Sequence, residues 1–481
     1  MSALTPSSYA PAFGRWTLTR VSLALCAVAG ISCICFLPTK YAVAVFALVL
    51  TTAFTLRYPV VGLCLLAFSV PWGSAVSPGG LPSFVTPTDV IAAELGAAWI
   101  VDAVARRRTP VSDRTLAPYI VLYVVATAVS STQAQDLAAS GREIIKWTEF
   151  AVVFFAAAAF LRTRHDLHLL TAALVGGGVS QALLGFEQFV RQAGPAAFGL
   201  HRAFFRSYGT FDQPNPYAGY LNMVIPLAIV FTVRARHGWE RTLYGCAALA
   251  MIAALVASQS RGAILALLAA GTVLALFLVP ISRIPIGIAA LATVVFACGA
   301  SFGIFATGPI DRVAGSIGLG GVAFGNVTNA NFSAVERAAH WLAGVRMFAG
   351  HPFLGVGIGN YAEAYPAVHP RGWYASLEHA HNYFINIAAE AGIFGLTTYT
   401  LLAGSALWYS YAITRRARDV TCFGVSLGAL GALVATNFHN LFDVLYVHGM
   451  ATLLGSILAL ASAGRTIDWA LASHSDTGDG A

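Results

Sequence analysis

Long apolar stretches recur along nearly the whole chain and limit what it can fold into. Of the 481 residues, 57% are hydrophobic and only 10% are charged, whereas a soluble domain carries about 25% charged residues. So few polar side chains cannot cover a globule in water, and the outer surface must therefore face lipid. The sequence predicts an integral membrane protein.

The apolar stretches have the length of membrane-crossing helices, which need about 20 residues each. Because the bilayer core offers no partner to a free backbone group, every span is expected to be helical. The predicted fold class is all-α, a polytopic bundle of about 12–14 transmembrane helices with one large extracytoplasmic loop. The spans are predicted at 17–37, 41–56, 59–73, 88–104, 115–131, 147–162, 167–190, 215–233, 241–257, 262–280, 284–306, 383–413, 420–437 and 443–463.

Arginine is concentrated in alternate loops. One set of loops includes Arg106–Arg108, Arg162 and Arg234, whereas the loops 74–87 and 437–442 contain no Lys or Arg. By the positive-inside rule, the arginine-bearing loops and both termini are predicted to be cytoplasmic. Since these loops account for the net charge of +7, that charge does not indicate a nucleic-acid partner.

Two arginines lie at the ends of spans on the predicted extracytoplasmic side. Arg206 comes before the turn that ends with Pro214-Asn215. Arg261 lies at the start of the span predicted at 262–280, which begins on the extracytoplasmic side. A guanidinium at membrane depth is costly unless it faces a partner or a cavity, and a helix N-terminus also favours phosphate. We therefore expect an anionic ligand, although a snorkelling arginine in an interfacial turn is an open alternative for Arg206.

Two histidines precede the span at 383–413. His381 lies at the helix N-terminus, where the helix dipole disfavours the imidazolium, so a neutral ring is available as a base. Metal binding by His379 and His381 is the competing interpretation, but no fixed set of carboxylate partners accompanies them. Asp443, in the last outward turn, either orients a base or caps the final span.

The large loop at 307–382 has two halves. Residues 308–331 are rich in Gly and Asn and predict an irregular flap, whereas 334–349 predict an interfacial helix with Val345 on its apolar side. The glycine spacing in 351–361 lacks the strand–helix unit of a dinucleotide loop, so it predicts closely packed backbone. The sequence thus divides into N-terminal transmembrane helices at 1–200, central helices with arginine-bearing turns at 201–306, the large loop at 307–382, C-terminal transmembrane helices at 383–465 and a cytoplasmic tail at 466–481.

Taken in order, these motifs resemble those of the bacterial O-antigen ligase and O-antigen polymerase superfamily. The resemblance covers roughly residues 200–400. Its motifs are Arg206 with Gly209-Thr210-Phe211 and Pro214-Asn215, Ser260-Arg261-Gly262, Pro352-x-x-Gly355-x-Gly357, and His381-Asn382 before Gly392-x-x-Gly395.

The resemblance implies a glycosyltransferase of the GT-C architecture in the bacterial inner membrane, with its active site on the periplasmic side. It implies an undecaprenyl-diphosphate-linked glycan as donor and no metal or cofactor. Direct displacement of this carrier predicts inversion at the anomeric carbon. By this resemblance, Arg206 and Arg261 would bind the diphosphate and His381 would be the general base. The expected supporting residues are His379, Asn382, Asp443 and Asn215.

The acceptor is left open by the sequence. A ligase passes the glycan to a lipid core, a polymerase passes it to another carrier-bound repeat, and a protein O-oligosaccharyltransferase passes it to a protein side chain. A transporter or flippase of lipid-linked sugars is the alternative from another class. Because transporters place their binding sites near the bilayer midplane, polar residues gathered on one face favour an enzyme. The other expected partners are membrane lipids.

Overall fold

A computed structural model of the chain describes residues 39–73, 86–107, 109, 111, 113–200, 204–279 and 332–478, together with Leu25 and Val28. The span predicted at 284–306 and the flap at 308–331 lie outside these described residues. The span predicted at 17–37 lies outside them too, apart from the two residues named.

The described residues fold almost entirely into α-helices, which confirms the all-α class. Besides loops, the described residues include three short 3-10 turns and a two-residue antiparallel pair, β1 (Gly199–Leu200) with β2 (Phe204–Phe205). The helices are α1 (Thr39–Arg57), α2 (Pro59–Ser69), α3 (Pro87–Ala105), α4 (Ala117–Ser130), α5 (Leu137–Phe160), α6 (Arg164–Arg191), α7 (Pro214–Arg234), α8 (Gly238–Ala257), α9 (Arg261–Leu278), α10 (Phe332–Gly350), α11 (Tyr361–Val368), α12 (Tyr383–Arg416), α13 (Val420–His439) and α14 (Met450–Gly478).

Within the described part of the chain, 7 helices are long and apolar enough to cross a membrane. They are α6, α7, α8, α9, α12, α13 and α14. The protein is therefore a multi-pass membrane protein, as predicted. The expected total of about 12–14 crossings stays a prediction.

Helices α7 and α13 pack against each other in the interior of the bundle, with α14 nearby. Small residues make this possible, because a Cβ on Gly428 would lie 2.4 Å from Leu227 and one on Gly431 would lie 2.7 Å from Pro226. Close approach at glycine is a usual device of membrane helices, whose association depends on van der Waals packing. Side chains of α7 therefore pack directly against the backbone of α13 at its glycines.

The loops predicted to be cytoplasmic lie together at one end of the bundle. Arg164 and Arg236 both approach the carboxylate of Asp419, at 2.8 Å and 3.6 Å. At the opposite end, the starts of α7, α9 and α12 converge with the loop between α13 and α14. The polar residues singled out in the sequence lie at this second end.

Two predicted boundaries are wrong. Helix α5 begins at Leu137 rather than at 147, because Asp136 accepts hydrogen bonds from two free N–H groups of its first turn. The last helix begins at Met450 rather than at 443, because residues 440–449 form a loop in which Asn440 Oδ1 accepts the N–H of Leu445 at 3.1 Å. Asp443 therefore lies in a loop and does not cap the final helix.

The helix predicted at 334–349 is confirmed as α10, but its predicted apolar side is wrong. Val345 is 52% exposed, whereas Ala339, Ala343 and Met347 are buried. The buried side packs on the start of α12, where a Cβ on Gly344 would lie 2.7 Å from Ile385. Helix α10 is thus held against the polar end of the bundle.

Candidate active site

The turn before α7 holds Arg206 in place. Gly209 has a φ of +59°, and Gln188 Oε1 accepts the backbone N–H groups of Tyr208 and Gly209 at 3.1 Å and 2.8 Å. The Arg206 side chain donates from Nε to the Ser258 carbonyl at 2.8 Å. Its second hydrogen bond runs from Nη2 to Asn215 Oδ1 at 3.1 Å. The guanidinium is therefore fixed between two helices.

Arg261 is the first residue of α9, and Gly262 lets this helix end approach α13. A Cβ on Gly262 would lie 3.1 Å from the ring of His439. The close contact between α9 and α13 therefore explains why the predicted Ser-Arg-Gly motif ends in glycine.

Burial, together with the charges of Arg337 and Arg261, lowers the pKa of Arg206 to about 10. Three guanidiniums therefore share one region, which favours a multiply charged anion.

The segment before α12 presents both histidines. His381 has a φ of +51°, and its N–H donates to His379 Nδ1 at 3.1 Å. Asn382 then caps α12, since its Oδ1 accepts the N–H of Ile385 at 3.1 Å. Its Nδ2 donates to the Leu441 carbonyl at 3.0 Å, so Asn382 ties the histidine segment to the loop between α13 and α14.

Asp443 lies at the centre of the site and is 3% exposed. Its Oδ2 accepts a hydrogen bond from Asn215 Nδ2 at 2.9 Å, and its Oδ1 lies 3.4 Å from His381 Nδ1. Burial alone would raise the pKa of Asp443, but the hydrogen bond from His381 and the neighbouring imidazoles outweigh it, and the pKa lies below its ordinary value. Asp443 is therefore a carboxylate at neutral pH.

His381 has one ring nitrogen engaged and the other available. Nδ1 faces Asp443, whereas Nε2 is buried without a hydrogen-bond partner among the described residues. A carboxylate at Nδ1 favours the tautomer with the proton on Nδ1, which leaves the Nε2 lone pair able to accept a proton. The arrangement has the chemical elements of a general base with its orienting group.

The structure therefore brings most of the predicted site residues together. Arg206, Asn215, Asp443 and His381 form one continuous chain of contacts, and His379 Nε2 lies 4.0 Å from Asp443 Oδ1. Asn382 is outside this chain and acts through the backbone it caps. These contacts join the turn before α7, the start of α12 and the loop between α13 and α14.

Helix α10 adds two residues that the sequence analysis did not assign to the site. The charge of Arg337 acts on Arg206, Arg261 and His379. The ring of His340 lies 5.6 Å from that of His381. Residues 337 and 340 are three positions apart and so share one helix face, but the sequence analysis predicted only an interfacial helix here and did not place it beside the site.

Helix α12 is broken at Gly392, which has φ 62° and ψ −159°. The carbonyls freed on this break accept backbone N–H groups from the glycine-rich loop: Val356 bonds to Ala389 at 3.0 Å and Gly357 to Glu390 at 3.0 Å. A Cβ on Gly355 would lie 2.2 Å from the Glu390 backbone. The closely packed backbone predicted for 351–361 is confirmed, and it joins this loop to α12 near the site.

His379, His381 and Asp443 also have the donor atoms of a metal site. One ligand atom from each lies within 4.8 Å of the others. Two imidazole nitrogens and one carboxylate oxygen suit a transition metal such as zinc. The geometry thus keeps metal binding as an alternative to the predicted metal-free site.

The polar end of this multi-pass helical bundle thus brings together a histidine, a carboxylate and an arginine. A family model described as O-antigen ligase matches residues 246–400. No curated protein matches the chain.

The match confirms the resemblance seen in the motifs and supports a membrane glycosyltransferase of the O-antigen ligase or polymerase type. It includes Arg261, His379 and His381 but ends before Asp443, and Arg206 precedes it. The candidate site therefore combines residues inside the matched range with Arg206 and Asp443 from outside it.

Proposed function

We propose that the protein transfers a glycan from an undecaprenyl diphosphate carrier to an acceptor hydroxyl on the periplasmic face of the bacterial inner membrane. The observation that carries the proposal is the contact between His381 Nδ1 and Asp443, which leaves the buried Nε2 available, while Asp443 is connected through Asn215 to Arg206. The family match supports glycan transfer as the reaction type.

In the proposed step, His381 Nε2 takes the proton of the acceptor hydroxyl. The acceptor oxygen forms a bond to the anomeric carbon while the bond from that carbon to the diphosphate oxygen breaks. The bonding electrons leave with undecaprenyl diphosphate, and direct displacement inverts the anomeric carbon. Asp443 stabilises the imidazolium that forms.

Arg206 and Arg261 are proposed to bind the diphosphate, with Arg337 as a third cation. Negative charge grows on the bridging oxygen as the bond breaks, and fixed guanidiniums stabilise it without reorganising. Arginine suits this task because its planar fork can bind two phosphate oxygens at once. Three cations held close together are better satisfied by a diphosphate than by a neutral ligand.

The proposed periplasmic location is supported by the charges of the opposite end. The end that contains Arg164, Arg236 and Asp419 carries the arginine-rich loops and is assigned to the cytoplasm by the positive-inside rule. The site lies at the other end. In a variant whose 7 native cysteines are replaced by alanine, Tyr374→Cys, at a side chain that is 72% exposed, should react with a membrane-impermeant maleimide in spheroplasts.

The base assignment is tested by replacing His381→Gln in purified protein reconstituted with a lipid-linked glycan donor. We expect transfer to fall by about 10²–10⁴-fold, the usual contribution of a general base, with the melting temperature unchanged. His237→Gln, at the cytoplasmic end, is the matched control. Transfer at the rate of the unsubstituted protein in the His381→Gln variant would overturn the assignment.

A metal-assisted mechanism predicts a different result. If His379, His381 and Asp443 hold an essential ion, a chelator should abolish transfer and zinc should restore it. The proposed mechanism predicts no loss of transfer after metal removal.

The same reconstituted assay separates an enzyme from a flippase, because only an enzyme forms a new glycosidic bond. Growth of the glycan chain without a separate acceptor identifies a polymerase.

A further inference from the structure

A cavity of about 410 Å³ lies between α10 and the segment that follows α11. Its aromatic lining is formed by Phe332, Trp373 and Tyr374, and its polar lining by Glu336, His340 and Arg371. A carboxylate, an imidazole and a guanidinium beside flat apolar rings are the usual composition of a site for a polar organic ligand.

The aromatic wall is built and not accidental. The rings of Phe332 and Trp373 lie 5.4 Å apart, and those of His369 and Tyr374 lie 5.0 Å apart. Tyr365 donates its hydroxyl to the Trp373 carbonyl at 3.0 Å. These contacts hold the wall against α10, while Tyr374 is 72% exposed and can contact a ligand.

Aromatic rings of this kind also occur in the interfacial belts of membrane proteins, where they face lipid headgroups. The charged residues of the cavity argue against that role. Glu336 and Arg371 line the same cavity as the rings. A carboxylate in contact with lipid would be unfavourable, so this wall does not face the bilayer. The lining instead matches a saccharide ring, which has apolar C–H faces and a rim of hydroxyls.

The cavity is next to the proposed base. His340 lines it, and the His340 ring lies 5.6 Å from the ring of His381. Beyond His381, the contacts continue through Asp443 and Asn215 to Arg206. The cavity and Arg206 are therefore linked through the proposed base, and Arg337 lies on α10 directly after Glu336 of the cavity lining.

We propose that this cavity binds the sugar ring of the acceptor, whose hydroxyl attacks the donor. The inference rests on the proposed function and deepens it, because it names a saccharide and not a protein side chain as the acceptor. Glu336 and Arg371 bond to hydroxyls of the sugar, and the rings of Trp373 and Tyr374 lie against its C–H face. Direct displacement requires the acceptor oxygen to attack the face of the anomeric carbon opposite the leaving diphosphate, and a sugar in this cavity would present its hydroxyl beside His381.

Binding is tested on the full chain in nanodiscs by saturation-transfer NMR, separately from catalysis. The probes are the free core oligosaccharide of lipopolysaccharide and the free repeat-unit oligosaccharide, neither of which carries a diphosphate. We expect Trp373→Ala and Glu336→Gln each to weaken binding of at least one probe by about tenfold, equivalent to losing one hydrogen bond to a charged group or one stacked ring. Trp239→Ala, which removes an exposed tryptophan at the cytoplasmic end, should bind as the unsubstituted protein does.

Transfer is measured in parallel with the lipid-linked donor. Trp373→Ala should raise the KM for acceptor about tenfold and leave the KM for donor unchanged, and Trp373→Phe should restore most of the loss. His381→Gln should lower transfer by about 10²–10⁴-fold while the oligosaccharide still binds. If the unsubstituted protein binds the oligosaccharide but forms no bond, the proposed function fails and the saccharide site stands.

Three results would overturn the inference. The first is oligosaccharide binding that is the same in Trp373→Ala and the unsubstituted protein. The second is a rise confined to the KM for donor, which would assign the sugar to the donor glycan. The third is transfer to a serine peptide with no transfer to either oligosaccharide.

Discussion

Asn215 Nδ2 donates to Asp443 Oδ2 at 2.9 Å, and Asn215 Oδ1 accepts from Arg206 Nη2 at 3.1 Å. A single amide thus bridges a cation proposed to hold the donor and the carboxylate that orients the proposed base. Binding of a diphosphate at Arg206 can therefore change the hydrogen bonding of Asp443 through the side chain of Asn215. This coupling yields the first prediction.

Replacing Asn215→Ala should lower transfer by about 10–100-fold, because two hydrogen bonds to charged groups are lost together. The KM for donor should rise as well, since Arg206 loses one of its two supports. Initial rates at varied donor concentration measure both effects. Gln213→Ala is the control, because Gln213 is a neighbouring exposed amide that makes no capping hydrogen bond. Equal rates in the two variants would remove Asn215 from the mechanism.

Replacing Asp443→Asn should lower the transfer rate by about 10²–10⁴-fold with little change in size or fold. The amide can no longer stabilise a protonated His381, and it no longer favours the Nδ1–H tautomer. Single-turnover rates with bound donor isolate this step. Asp212→Asn, at an aspartate whose side chain is 82% exposed, should be silent. A loss of less than about fivefold in Asp443→Asn would contradict the role of the pair.

Replacing Arg337→Gln should raise the KM for donor about tenfold, because one of three cations near the diphosphate is removed. The dependence of donor binding on ionic strength should weaken in the same variant, while Arg337→Lys should retain part of the affinity. Arg346→Gln is a control on the same helix, where the arginine is exposed and donates to the Val368 carbonyl. A donor KM that is equal in both glutamine variants would place Arg337 outside the binding site.

Replacing Gly392→Ala should destabilise the protein strongly. A Cβ there would lie 2.2 Å from the Phe353 carbonyl oxygen, and the residue has a positive φ, so both sterics and backbone strain oppose alanine. We expect a loss of about 3 kcal/mol or more in unfolding free energy, seen as a lower melting temperature in detergent. Gly404→Ala in the same helix, where a Cβ meets nothing within 4 Å, should be neutral or slightly stabilising.

Stability should fall as the pH is lowered from about 6.5 to 4. Burial, with the charges of His381, His340 and Arg337, outweighs the effect of Asp443 and lowers the pKa of His379 from 6.5 to about 4. The unfolded chain therefore binds a proton that the folded chain excludes within this window, and stability rises with pH there. The stabilisation is complete above pH 6.5 and amounts to at most about 3 kcal/mol.

Melting temperatures of His379→Asn and of the unsubstituted protein, compared across this pH range, check the pH prediction. Asparagine keeps an acceptor near the position of Nδ1, which receives the N–H of His381, but does not titrate. The slope of stability against pH should therefore be shallower in the variant. An identical slope in both proteins would show that His379 is not the group responsible.

The helical class of this protein was predictable because hydrophobicity is a local property that survives without any knowledge of packing. The boundary at Met450 was not, because Asp443 is held by a hydrogen bond from the distant Asn215 and the loop is closed by the hydrogen bond from Leu445 to Asn440. The exposed side of α10 was predicted wrongly for the same reason. Its neighbour is α12 and its apolar pattern alone does not identify that neighbour.

By itself the sequence determined that the chain lies in a membrane, which loops carry the positive charge, and which arginines and histidines merit a chemical explanation. Only the tertiary structure decided that Asn215 and Asp443, 228 positions apart, are bonded to each other, and that α10 brings Arg337 and His340 to the same place. Charge and hydrophobicity are properties of each residue by itself, whereas the partner of a polar side chain depends on how the helices pack.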